Sequence, residues 1–160
     1  MTCSPDELRA VMRGWASGVT LVTTLAGKRP WGMTVSAFHS VSAEPPLVMA
    51  CVHSGARTHG YIEASRVFAV HLLAEGQFEL ATRFASPEPE DRRFQGLSWR
   101  SGQSGAPLIE GVLGRFDCRL RSQHREGSHS IFIGDVLSAD SSSGRPLLYW
   151  DGDFRALRDR

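Results

Sequence analysis

The residues best equipped for chemistry in this sequence are small hydroxyls rather than acids or nucleophiles. Between Trp31 and Ser54, Thr34, Ser36, Ser40 and Ser42 alternate with Met33, Val35, Ala37 and Val41. A side-chain period of two on an extended chain makes one face apolar and lines the other with hydrogen-bond donors. Small residues also let a flat ligand approach the backbone, whose unpaired N–H groups can read its polar edge. Such a surface suits something planar and polar-rimmed. The machinery of other reaction classes is missing. No Gly-x-Gly-x-x-Gly opens a helix and no Walker-type loop occurs, so a dinucleotide would not be held in Rossmann fashion. No serine sits in a Gly-x-Ser-x-Gly elbow, and none of the six histidines forms His-Glu-x-x-His. His53 and His59 lack cysteine partners at zinc spacing, and no metal site is expected.

The elements that must position this stretch can be read in chain order. Ser4-Pro5-Asp6-Glu7 is a helix start, with a capping hydroxyl, proline in the first turn and acids at the positive end of the dipole. Leu8, Val11, Met12 and Trp15 continue it at helical spacing, and Gly14 and Gly18 weaken any helix beyond that point. The β-branched run 19–25 predicts a strand, turned by Ala26 to Pro30 into the Trp31–Ser54 stretch, itself read as two strands joined at Pro45-Pro46. Gly55 to Gly60 is a loop, with Thr58 the expected cap of a short helix through Ala64, and residues 67–73 form another strand. A helix is expected from Glu75 to about Ala85, facing Phe78, Leu80, Ala81 and Phe84 inward. Residues 86–93 are charged and Pro-broken, and 96–107 are rich in Gly and Ser, together a lid or wall over a site.

From Val112 to Ser122 the pattern alternates, Phe116, Cys118 and Leu120 inward against Arg115, Asp117, Arg119 and Arg121 outward. Residues 123–128 turn the chain, 129–138 return it, and Asp151-Gly152 makes a terminal hairpin. About seven strands joined mostly by short turns, with two or three helices, predict a mainly β chain folded as an antiparallel barrel.

A chain of 160 residues fits one domain spanning 1–160 with a real core. With 41% hydrophobic and 22% charged residues it has ordinary globular composition, and its net charge of +1 gives no case for nucleic acid or an anionic membrane. Cys3, Cys51 and Cys118 are an odd set without C-x-x-C spacing, which suits a reducing compartment. An acidic N-terminus and the lack of a long apolar run point to a cytoplasmic protein.

Gly32-Met-Thr-Val-Ser-Ala-Phe-His-Ser-Val-Ser42 followed by Pro45-Pro46-Leu47 resembles the signature of the flavin reductase family of FMN-binding split barrels. Further matches run in the family's order: Thr58-His59, residues 68–73, Arg83-Phe84-Ala85, 105–108, Gly127-Ser-His129, 134–136 and 146–149. The resemblance implies an antiparallel split β-barrel that is homodimeric and supplies reduced FMN or FAD to a flavin-dependent monooxygenase, using NADH or NADPH. It implies that Met33, Thr34, Val35, Ser36 and Ala37 run past the flavin ring and ribityl chain. Cys51, His53, Ser54 and Thr58 match a second flavin-contacting segment, where hydroxyls and a helix start receive phosphate. Arg83, followed by Phe84, would close that site. His129 matches the histidine of a Gly-Asp-His motif near the nicotinamide, and Tyr149 would wall the same pocket. Two departures stand out: Ser128 replaces the family's aspartate, and His71 stands where asparagine is usual.

Hydride transfer asks little acid–base chemistry of a protein; what counts is stacking two rings about 3–3.5 Å apart. That fits the lack of paired carboxylates or an activated nucleophile. Two other readings stay open on the residues alone: an oxidase with tightly held flavin, and a non-catalytic flavin- or haem-binding module.

Overall fold

The computed structural model of the chain describes residues 2–86 and 92–158. Helix α1 (Pro5–Met12) starts as the sequence predicts. The Ser4 hydroxyl accepts the Glu7 N–H at 3.2 Å, and the Glu7 carboxylate accepts the Ser4 N–H at 2.7 Å. None of its residues is buried, however, and Val11 and Trp15 remain 76% and 65% exposed.

After β1 (Ser17–Gly18), the chain forms β2 (Thr20–Ala26), β3 (Arg29–Val35), β4 (Phe38–Ser42) and β5 (Leu47–His53). The stretch expected to be two strands is therefore three, because the chain corners at Ser36-Ala37. Helix α2 (Arg57–Ser65), β6 (Val67–Leu72), one turn of 3-10 helix and α3 (Phe78–Ala85) come next. A short hairpin, β7 (Trp99–Ser101) and β8 (Pro107–Ile109), leads into the long pair β9 (Gly114–Glu126) and β10 (His129–Ser141). The chain closes with β11 (Leu148–Trp150) and β12 (Asp153–Arg155), turned at Asp151-Gly152, where both φ values are positive.

Seven strands make one antiparallel sheet in the order β3-β2-β6-β9-β10-β5-β4. Consecutive strands β3 and β4 thus stand at its two ends, so the sheet must curl, and the barrel is split at their shared corner. The Ala37 carbonyl accepts the Cys51 N–H at 2.9 Å and fastens that corner to β5. Inside lie Val22, Val35, Val48, Ala50, Val52, Phe68, Val70, Cys118, Leu120 and Phe132, and Ile62 of α2 reaches the same cluster. The walls approach closely: a Cβ added at Gly134 would stand 2.5 Å from the Phe68 ring and 2.9 Å from Cys118 Cβ.

The outer face of the β2–β6 side is covered. Leu21 packs with Ala81, Phe84, Phe94, Ile109 and Leu147, and Ala69 packs with Ala106 and Leu108 of the β7–β8 hairpin. The Gly/Ser-rich segment expected as a lid or wall over a site is in fact this core cover; of residues 86–93, 87–91 lie outside the described residues. Its loop is seated on Asp117, whose carboxylate accepts the Ser104 N–H at 3.0 Å and the Ser104 hydroxyl. Asp117, expected outward, is consequently 1% exposed. Phe78, expected inward, is half exposed at the start of α3.

His71 serves this covered side. Ile109 donates its N–H to Nε2 at 3.0 Å, which leaves Nδ1 to donate to the Leu21 carbonyl at 3.2 Å. Complete burial lowers its pKa to about 4.

Candidate functional site

The β3–β4 corner floors a cleft of about 340 Å³ lined by Trp15, Ala16, Ser17, Gly18, Thr20, Ser36, Ala37, Phe38, His39, Met49 and Leu72. Small residues on both the corner and the Ala16–Gly18 wall make it a slot, open to a thin ligand. The Thr20 hydroxyl donates to the Val35 carbonyl at 2.5 Å and holds the corner's last strand residue in place. Met49 carries the cleft onto the outer face of β5, where alternation also places Cys51 and His53.

His53 and His129 are directly paired in register, and their rings meet edge to face at 5.1 Å. Gly55 donates its N–H to His53 Nδ1 at 3.0 Å, fixing that nitrogen as an acceptor. Ser128 Oγ lies 3.0 Å from His129 Nδ1, so the hydroxyl takes the place a motif carboxylate would occupy. Ser54 secures the hairpin tip, giving the Ser128 carbonyl both its N–H at 2.9 Å and its hydroxyl at 3.0 Å. His129 is exposed, and among the described residues its Nε2 has no hydrogen-bond partner.

The structure thus brings together Ser36, Ala37, Cys51, His53, Ser54 and His129, and it places the others differently. Val35 is in the barrel core and Met33 packs against it, so neither offers its side chain to the slot. Thr34 donates its hydroxyl to the Ala81 carbonyl at 2.6 Å, tying β3 to α3. Phe84 is 1% exposed within the outer core cluster, a correction of its expected place at the ligand. Arg83 is exposed on α3, donates to the Gln95 carbonyl at 3.2 Å, and lines a separate hollow with Phe78, Glu79, Thr82 and Ser86. Tyr149 pairs with Ser17 in the β1–β11 ladder and lines a second hollow, which shares Trp15 with the slot. Thr58 does not cap α2; Ala56 holds that position, and Thr58 lies in the first turn, fully buried, its hydroxyl without a hydrogen-bond partner among the described residues.

Sequence reasoning missed the Trp15–Gly18 wall, Phe38, His39 and Met49. Alternation could have paired Met49 with Cys51, but nothing local shows that the chain after α1 returns to the β3–β4 corner. Burial raises the Cys51 thiol's pKa, which suits a packed side chain rather than a thiolate nucleophile. Among the described residues no three His, Cys, Asp or Glu side chains are grouped to hold a metal ion, and no helix is long and apolar enough to cross a membrane.

Comparisons with known proteins point one way. Residues 12–158 match the model of the flavin reductase like domain. The reductase subunit HsaB of a flavin-dependent monooxygenase from Mycobacterium tuberculosis is 36% identical over 156 residues, 96% of this chain and 82% of that protein. The NADH-dependent FAD reductase of Streptomyces globisporus is 39% identical over 153 residues, covering 93% of this chain and 84% of that one. Among solved structures, the Streptomyces globisporus NADH:FAD oxidoreductase in complex with NAD and FAD fragments superposes with a TM-score of 0.89 at 35% identity, over 99% of this chain and 97% of that one. BorF, the flavin reductase component of a bacterial two-component tryptophan halogenase, gives 0.89 at 37% identity, over 98% and 100%.

Proposed function

Because the chain belongs to the flavin reductase like domain family, we propose that it is an NAD(P)H:flavin oxidoreductase that reduces FMN or FAD and supplies a partner monooxygenase. The observation that carries the site assignment is the narrow slot at the Ser36-Ala37 corner, which runs by way of Met49 onto the face bearing His53 and His129.

The residues fit a flavin. Ala16, Ser17, Gly18, Ser36 and Ala37 give the slot small-residue walls, and Trp15, Phe38, Met49 and Leu72 add apolar surface for a flat ring. Ser54 and Thr58 sit at the start of α2, where N–H groups favour a phosphate, and the buried Thr58 hydroxyl has no hydrogen-bond partner among the described residues to release. When bound, flavin and nicotinamide would supply the hydride chemistry themselves, the one as acceptor and the other as donor. The chain's part is to hold the rings in register and keep water out. Ser36 and Ala37 carry the ring past the backbone. Met33, Thr34 and Val35 act through the strand they shape, since their side chains face core or α3. Cys51, partly buried on the outer face of β5, would help to hold the flavin there. His129, oriented by Ser128 and His53, stands at the nicotinamide, with Tyr149 behind Trp15. Arg83, held in a separate hollow on α3, is assigned to the phosphate end by the family resemblance alone, and Phe84 holds α3 in place.

One domain spanning 1–160 does this work in the cytoplasm, as a homodimer. The partly exposed apolar row Met49, Ile131, Ile133 and Leu137 on the outer face supports an interface there. Sedimentation should give twice the chain mass, and a monomer at micromolar concentration would remove the dimer. Steady loss of NADH absorbance with excess FMN is the expected assay result, repeated with FAD and NADPH to rank the substrates. Flavin binding without turnover would overturn the reductase reading.

A further inference from the structure

Behind the exposed face of β10 lies a closed ring of four polar side chains that the proposed reaction does not use. Ser130, 0% exposed, follows His129 in the chain and points to the opposite side of the sheet. Its Oγ lies 2.8 Å from Nε2 of His59, itself 6% exposed. Gln123 donates through Nε2 to Ser130 Oγ at 3.2 Å and to Glu63 Oε1 at 2.6 Å. Glu63 Oε2 closes the circuit, 3.5 Å from His59 Nδ1 one helical turn away. With one Ser130 lone pair occupied by Gln123, the hydroxyl can donate its own proton to His59 Nε2, and the Nδ1 proton then faces Glu63. Phe132 holds the His59 ring edge to face at 5.0 Å.

The ring joins α2, through His59 and Glu63, to β9 at Gln123 and β10 at Ser130. The hairpin tip between those strands is a two-residue turn, Gly127-Ser128, and every residue from His124 to His129 is exposed. A tip with so little buried surface frays unless it is tied down. Beyond the ladders to β9 and β5 and the His53–His129 ring contact, two hydrogen-bonded side-chain ties hold it among the described residues: Ser54 on one side, and this ring on the other. The second also fixes the tip against α2, whose first turn carries Thr58.

We propose that His59, Ser130, Gln123 and Glu63 are positioning residues for hydride transfer: the ring sets where His129 stands relative to the α2 N-terminus. This rests on the reading of His129 as the nicotinamide-side residue. The ring touches no substrate; it acts through the backbone of residues 129–130.

The test uses the full-length protein with Glu63→Ala, Glu63→Gln and Ser130→Ala, each beside His129→Ala. Glu63 is half exposed, so its variants avoid the folding loss that a buried Ser130 change risks. Two readouts are needed: NADH turnover with FMN affinity, and the ring signal of His129 in a histidine-labelled NMR spectrum. Glu63→Ala is expected to shift or split the His129 signal and lower kcat about tenfold, with FMN affinity within twofold; displacements of about 1 Å carry losses of this order or more. Glu63→Gln, which keeps an acceptor for Gln123, should recover both. An unmoved His129 signal in Glu63→Ala and Ser130→Ala overturns the positioning role whatever the turnover. A moved signal with turnover intact, while His129→Ala lowers it, overturns the link to catalysis. Full turnover in His129→Ala instead removes the underlying assignment of His129, and the proposal with it.

Discussion

The two halves of this barrel share an interior but differ outside. On the β2–β6 half, α3 and the β7–β8 hairpin cover the outer face, and buried polar side chains tie it down: Thr23 donates to the Pro107 carbonyl, Asp117 holds Ser104, and His71 bridges Leu21 and Ile109. On the β5–β10 half none of the described residues of this chain covers the outer face, and His53, His129 and the Ser36-Ala37 corner are open. The contrast is clearest between two histidines. His71 is sealed with both nitrogens occupied, whereas His129 has one nitrogen unclaimed. The covered half supplies rigidity; the bare half can exchange its contacts for a ligand's.

Four experiments would break or sharpen this division. Phe84→Ala, on the covered half, should cost about 3–5 kcal/mol of unfolding free energy in urea, with flavin affinity of the folded fraction little changed. A selective loss of flavin binding would instead move Phe84 to the ligand. Next comes acid. His71 has a folded pKa of about 4 against an ordinary 6.5, so the unfolded chain takes up the proton first. Its contribution is complete above pH 6.5 and declines between there and pH 4, by about 1.4 kcal/mol per unit and about 3 kcal/mol in all. His71→Asn should flatten that part of the stability profile; an unchanged slope would assign the acid sensitivity elsewhere.

On the bare half, His129→Ala should lower NADH turnover about tenfold, equivalent to about 1.4 kcal/mol, and leave the fold's midpoint unmoved. Equal losses of turnover and flavin affinity would contradict its place at the nicotinamide. Smallest is Arg83→Ala, expected to weaken FMN about fivefold, roughly 1 kcal/mol. Affinity within twofold of the parent would take Arg83 out of the phosphate site and leave it as the α3 surface residue that holds the Gln95 carbonyl.

Where a signal is local, the sequence carried it. Ser4 and Glu7 cap α1 reciprocally as their spacing implies, and Asp151-Gly152 turns β11 into β12 with the positive φ values that pair supports. The alternation of β9 correctly put Phe116, Cys118 and Leu120 on one side. It misjudged Asp117, because what buries that carboxylate is a loop arriving from residue 104. The hydroxyl stripe was legible as a pattern but not as a surface: the corner at Ser36-Ala37 turns Thr34 to α3 and leaves Ser36 in the slot. Ser130 and His59 are 71 residues apart, so no local pattern could place them in one ring.

Trp15 stands at the mouth of the slot, two-thirds exposed, whereas Trp31 is buried against Tyr61. The molecule therefore carries its own optical gauge. Quenching of the most water-exposed indole should follow a flavin into the slot, and the Trp15→Phe variant should turn that gauge dark while the catalyst continues to work.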